Sequence, residues 1–242
     1  MLLGIFISCR LVMKVKFLFI LLLLCSLGLQ AQNKVLPVLL SPVFGNQKLN
    51  VGTDWYHIAR ADSIQIQVLK FYVSKLRLLD KGKVVWQEEN SFHLVDVENS
   101  TSLKWNLLIP PTITFSQISF ELGIDSITNV SGALGGDLDP TKGMYWTWQN
   151  GYINFKLEGL ASSSSANKNE FQFHLGGYQY PFLACKTIIL DQINEDGFVI
   201  EIDLKKVLVQ ADLNKENHIM SPSIEAVKWS HWVQKSFSII PK

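Results

Sequence analysis

Ile118, Phe120, Leu122 and Ile124 recur at every second position, the cleanest alternation in the chain. Only an extended strand gathers such residues on one side, because successive side chains point to opposite faces. This segment therefore requires a sheet with one buried and one solvated face. Similar signals surround it. Residues 63–79 hold Ile64, Ile66 and Val68, then Val73, Leu76 and Leu78. The change of phase near residues 69–71 predicts a bulge, in one bent strand or between two strands.

Turn chemistry divides the rest of the chain. Asp80-Lys81-Gly82-Lys83 leads into Val84, Val85 and Trp86, and Asn90-Ser91 precedes an apolar stretch from Phe92, a pattern that resembles a meander. Pro110-Pro111 sets off a loop ahead of the Ile118 strand. Strands are expected over residues 145–157 and 171–175, flanking a Ser- and Asn-rich stretch, residues 161–169, that reads as a flexible surface loop. Residues 187–193 and 198–203 read as a hairpin through Asn194-Glu195-Asp196-Gly197, with Asp203 capping the segment after it. Helix is expected only near the end, where Ser221 and Pro222 suit a cap and first helical position ahead of Ile224, Val227 and Trp232. The pattern defines an all-β chain: an antiparallel β-sandwich or open barrel with a short C-terminal helix.

The first 31 residues read as a signal peptide. Lys14 and Lys16 precede an apolar run, and Ser26, Gly28 and Ala31 supply small residues before Gln32; Met13 is a possible true start. The run is too short to span a bilayer, so no membrane span is expected in the mature chain. Cys25 sits inside the apolar run without the small residue that precedes a lipidated cysteine. Cleavage after Ala31 leaves residues 32–242 as one domain, periplasmic or secreted, with Cys185 as its lone thiol and no intrachain disulfide. Cys185 is then a buried small hydrophobe or a thiol open to a soft metal. With a net charge of +1 and no basic block, nucleic acid is not an expected partner.

Residues 138–159, LDPTKGMYWTWQNGYINFKLEG, concentrate aromatic rings behind a turn made by Asp139, Pro140 and Gly143. As a strand, this segment would put Met144, Trp146 and Trp148 on one face, with Tyr145 and Thr147 on the other. Rings in such numbers anchor a core or form a recognition surface. No phosphate loop, nucleophile elbow, paired-cysteine zinc motif or two-histidine helix is present, and no enzymatic activity is expected. Asp137 and Asp139 lack the series of oxygen ligands of a calcium loop and read as solvated turn residues. Among the histidines, His174 points away from Phe171, Phe173 and Leu175 together with Gln172, and is the best candidate ligand. His93 has a similar setting, and His218 precedes Met220, a pairing that suits soft copper. His57 and His231 carry less information.

Several segments then fall in a recognisable order. They are Phe71-Tyr72-Val73-Ser74, Phe120-Glu121-Leu122-Gly123-Ile124, Leu138-Asp139-Pro140, Met144-Tyr145-Trp146-Thr147-Trp148-Gln149 with Gly151-Tyr152, and Phe173-His174-Leu175-Gly176. The series resembles the MbnP-like copper-binding family of bacterial periplasmic proteins, methanobactin-associated MbnP and its relatives. The resemblance runs from about Gly52 to the C-terminus. It implies an exported β domain that binds copper through histidines and a tryptophan oxidised to kynurenine by a di-haem cytochrome c peroxidase-like partner. Trp146 and Trp148 are the joint candidates for that modification. His174 becomes the leading ligand, followed by His93, His218, Met144 and Met220.

Two departures bear on the copper reading. Methanotroph-type relatives carry several cysteines and a Leu-Asn-His segment, where this chain reads Asn129-Val130-Ser131-Gly132. A lost ligand weakens or abolishes binding. The alternative is a secreted β-sandwich recognition module that binds a glycan or protein through exposed aromatic residues, with Trp146 or Trp148 as platform.

Overall fold

The computed structural model describes residues 32–58, 62–191 and 193–240, and the expected signal peptide lies outside them. In chain order its strands begin with β1 (Lys34–Phe44), β2 (Gln47–Lys48), β3 (Tyr56–Ile58), β4 (Asp62–Asp80), β5 (Lys83–Gln87), β6 (Phe92–Asp96), β7 (Lys104–Ile109) and β8 (Gln117–Leu122). They continue with β9 (Tyr145–Trp146), β10 (Gly151–Ala161), β11 (Glu170–Gly176), β12 (Lys186–Asp191), β13 (Phe198–Asp203), β14 (His218–Ile219) and β15 (Phe237–Ile240). Val35–Leu107 and the chain from Ile113 onward make one unit, and Leu108–Thr112, outside it, holds the end of β7 and the Pro110-Pro111 step.

β4 is the spine of the larger sheet. One edge pairs with β3, β6 and β5, and the other is shared by β10, on residues 64–71, and β8, on residues 73–79. Its alternating apolar residues are buried, and fully burying a Leu, Ile or Phe side chain contributes about 1.5–3 kcal/mol. The phase change of the sequence lies within one continuous strand. Gln67 is the extra residue opposite Glu158 and Gly159, and a second irregularity follows at Lys75, whose φ is +50°. The expected meander is not formed, because β5 and β6 each pair with β4 rather than with each other.

The smaller sheet runs β15-β13-β1-β2, with β7 beside β1. β1 and β13 are parallel, as are β11 and β14, so the sheets are mixed while the fold is all-β as expected. Phe237 of β15 meets Phe71 and Phe120 edge-on, which packs the smaller sheet on the larger one. β1 buries Leu36, Val38 and Leu40 at every second residue, although Pro37 and Pro42 punctuate it.

The hairpin expected at residues 194–197 is corrected. Gly197 N–H does reach Asn194 O at 3.2 Å, but β12 pairs with β8 in one sheet and β13 with β1 in the other, so the turn carries the chain between sheets. The C-terminal helix is Ile224–Gln234, capped by Ser223, two residues later than expected; Ser223 Oγ accepts the Ala226 N–H at 3.0 Å. Helix also occurs earlier, at Ser126–Val130 and Leu204–Leu208, the latter capped by Asp203 as expected. The serine-rich loop is pinned: Ser162 and Ser163 donate to Asp62, and Ser164 Oγ donates to Glu170 O at 2.6 Å.

Candidate metal centre

The segment 144–152 is a hairpin rather than a continuing strand. β9 ends at Trp146 and pairs with Gly151-Tyr152 of β10, so residues 147–150 form the turn. The two tryptophans therefore part company. Trp146 is 6% exposed and Trp148 65%, with ring centroids 5.9 Å apart. Met144 is fully buried in a cluster with Tyr72, Leu138, Trp146 and Tyr152. The Trp146 Nε1 and the Gln149 Oε1 are buried without hydrogen-bond partners among the described residues.

On β11 the odd-numbered residues face the helix Ile224–Gln234, through a ring contact of Phe173 with Trp229 at 3.8 Å. Gln172, His174 and Gly176 take the opposite face by strand alternation. A Cβ built on Gly176 would lie 2.6 Å from the Trp146 ring, so the indole covers the face that carries His174, two residues away. Sequence reasoning placed these segments in order; the hairpin places them side by side.

His174 Nε2 lies 2.6 Å from Glu158 Oε1, and Lys156 Nζ lies 3.3 Å from the same oxygen. The hydrogen bond from His174 holds the Glu158 carboxyl below its usual range against the opposing effect of burial, with Lys156 assisting. An ionised carboxylate only accepts, so Nε2 carries the proton and Nδ1 of the neutral ring keeps its lone pair. Carboxylate-oriented imidazole is the arrangement that presents a metal ligand. Glu158 was not singled out from the sequence, although its place diagonally across from His174 follows once β10 and β11 are paired.

The other candidates are dispersed. His218 is exposed on β14 opposite Gln172, and Met220 comes just beyond that strand. His93 Nε2 lies 2.7 Å from Glu88 Oε2 and its ring stacks on Trp105, on the far side of β4 from β10. Asp137 accepts from Leu94 N–H and pairs with Lys142, while Asp139 caps Thr141. Burial and the Glu121 charge push the Cys185 thiol up to about 12, which keeps it protonated. Among the described residues no group of three or more His, Cys, Asp and Glu is placed to hold a metal. A centre here needs a donor of another kind beside His174. No helix among them is long and apolar enough to cross a membrane.

The MbnP family's sequence model matches residues 34–221, most of the chain. The solved structure of MbnP from Methylosinus trichosporium is similar in fold, with a TM-score of 0.60 and 12% identity over 81% of this chain and 87% of that one. No curated protein matches. The all-β fold, the ordered segments and the family match together define an MbnP-like β protein. This chain belongs to the MbnP family.

Proposed function

We propose that this protein is an exported copper-binding protein of the periplasm, not itself an enzyme, with its centre on the outer face of β11. The observation that carries the reading is the His174–Glu158 pair, on the face of β11 that Trp146 meets at Gly176: a carboxylate fixes one imidazole nitrogen and leaves the other as donor. Imidazole suits copper, and copper heads the divalent affinity order. Oxidation of a tryptophan to kynurenine by a di-haem partner would supply an amine and a carbonyl where the carboxylates, histidines and cysteine alone are too few. Trp148 is the ring open to an external oxidant, and Trp146 is the ring that meets the face of β11 at Gly176. Residues 1–31 supply the export signal.

Peptide mass spectrometry on protein from its native host tests the reading. Trypsin cuts after Lys142 and Lys156 and releases both tryptophans in one fragment. Kynurenine in that fragment is the expected result, and fragment ions assign the position. Unmodified tryptophans in copper-replete and copper-limited cells overturn the oxidation step and leave copper to the histidines.

A recognition module is the second reading, favoured by the exposure of Trp148.

A further inference from the structure

Among the described residues two cavities contrast. One, beside His93, is lined by Lys70, Asp96, Asp137 and Lys142, which are spent on each other as the ion pairs Lys70–Asp96 at 2.8 Å and Lys142–Asp137 at 2.6 Å. The other lies at the end of the sheet where the loop after the helix Ser126–Val130, the 147–150 turn and the loop after β11 converge. It is an open hollow of about 570 Å³, and among the described residues no charged side chain lines it. Its lining includes Tyr145, Tyr178, Thr147, Asn150 and Gln179.

We propose that this second cavity binds a neutral, hydroxyl-rich ligand: a sugar ring or a short uncharged oligosaccharide. The volume falls within the range of small-molecule sites, about 300–1,000 Å³. Asn129, at its base, is fully used: Nδ2 donates to Ile124 O and Asp125 O, and Oδ1 accepts the Tyr152 N–H at 2.8 Å. That side chain fixes the floor. Above it, the Thr147 hydroxyl, the Tyr145 hydroxyl and the Asn150 and Gln179 amides have no hydrogen bond to the described residues, and Tyr178 reaches only Asn150 O at 3.5 Å. Amides and hydroxyls both donate and accept, matching the two-way hydrogen bonding of a sugar hydroxyl. The tyrosine rings supply apolar faces for its C–H surface. A charged ligand would find no counter-ion, because the nearby Asp125 is already paired with Lys75 at 2.9 Å.

The chain between Gly143 and Phe155 and between Phe171 and Cys185 contains no Asp, Glu, Lys or Arg, in a protein where those types make up 18% of residues. The wall is uncharged because its segments are. His174 is not among the lining residues, so the cavity does not share that ligand.

The test uses metal-free, unmodified protein. Saturation-transfer NMR and calorimetry are run with cellobiose, maltose and chitobiose, and with galacturonic acid as the charged control. Binding of at least one neutral sugar is expected, with galacturonic acid silent. Thr147→Arg and Gln179→Ala, both at exposed positions, are expected to weaken binding 10-fold or more without shifting the melting temperature. No binding of any neutral sugar overturns the proposal, as does binding that survives both substitutions. Concentration-dependent dimerisation abolished by Thr147→Arg overturns it in favour of a face that pairs with a second copy.

Discussion

The indole of Trp146 approaches β11 so closely that Gly176 has room for hydrogen alone: a Cβ there would meet ring atoms at 2.6 and 2.8 Å and Tyr152 O at 2.8 Å. Thirty residues of chain separate the two, and the β9–β10 hairpin with the β10–β11 pairing closes that distance. The contact couples a core anchor to the strand that carries His174.

Gly176→Ala therefore tests the seating of Trp146. The backbone of β10 blocks one route of retreat and the buried ring blocks the other, so overpacking costs about 1–3 kcal/mol. Urea unfolding followed by tryptophan fluorescence should show that loss as a lower midpoint. An unchanged midpoint would place the indole elsewhere.

Copper titration separates the ligand from its support. His174→Ala is expected to lower affinity about 10-fold or more, and Glu158→Gln by about 10–100-fold, because the amide no longer fixes the imidazole tautomer. His93→Ala, which breaks a similar carboxylate pair on the other side of β4, should leave affinity unchanged. Equal losses for His93 and His174 would dissolve the assignment.

Acid stability depends on the same pair. The His174 hydrogen bond sets Glu158 below its ordinary 4.5, so the folded chain binds fewer protons here than the unfolded one. This contribution is complete above about pH 4.5 and is lost as pH falls through the depressed folded value. Urea midpoints measured from pH 7 to pH 3 should fall in that lower window, and Glu158→Gln should flatten part of the decline. Overlaying acid limbs for the two proteins would show that Glu158 does not carry it.

Strand alternation made much of the fold legible: Ile118, Phe120 and Leu122 are buried as their spacing requires, and Asp203 caps the helix that begins beside it. Partner choice was not legible. The residues 194–197 have the turn chemistry of a hairpin, yet which sheet receives β13 depends on β1, more than 150 residues earlier, and local sequence does not encode that pairing. The reading of residues 144–148 as one strand failed for a related reason, since the alternation runs on through a turn at Thr147. His174 and the tryptophans were visible as side chains of the right chemistry. Glu158 was not, because its role exists only through cross-strand register.

The fork between β8 and β10 depends on one amide. Asn154 is the extra residue where β10 shifts register against β11, which turns its side chain into the gap beside Tyr72, where the two strands diverge along β4. There its Oδ1 accepts the Ile124 N–H at 3.0 Å, while Gly123, with φ at +113°, donates to Tyr72 O at 2.8 Å. Asn154→Ala strands the buried Ile124 N–H, for a cost of about 1–3 kcal/mol. Gly123→Ala should cost more, because a methyl group would collide with the Asn154 side chain at a backbone angle that L-residues rarely adopt. Hydrogen exchange at the Ile124 amide reads the first directly: exchange should accelerate in Asn154→Ala beyond the change in global stability. Equal protection in the two proteins would mean that the pairing of β8 and β10 with β4, and not this side chain, holds the fork.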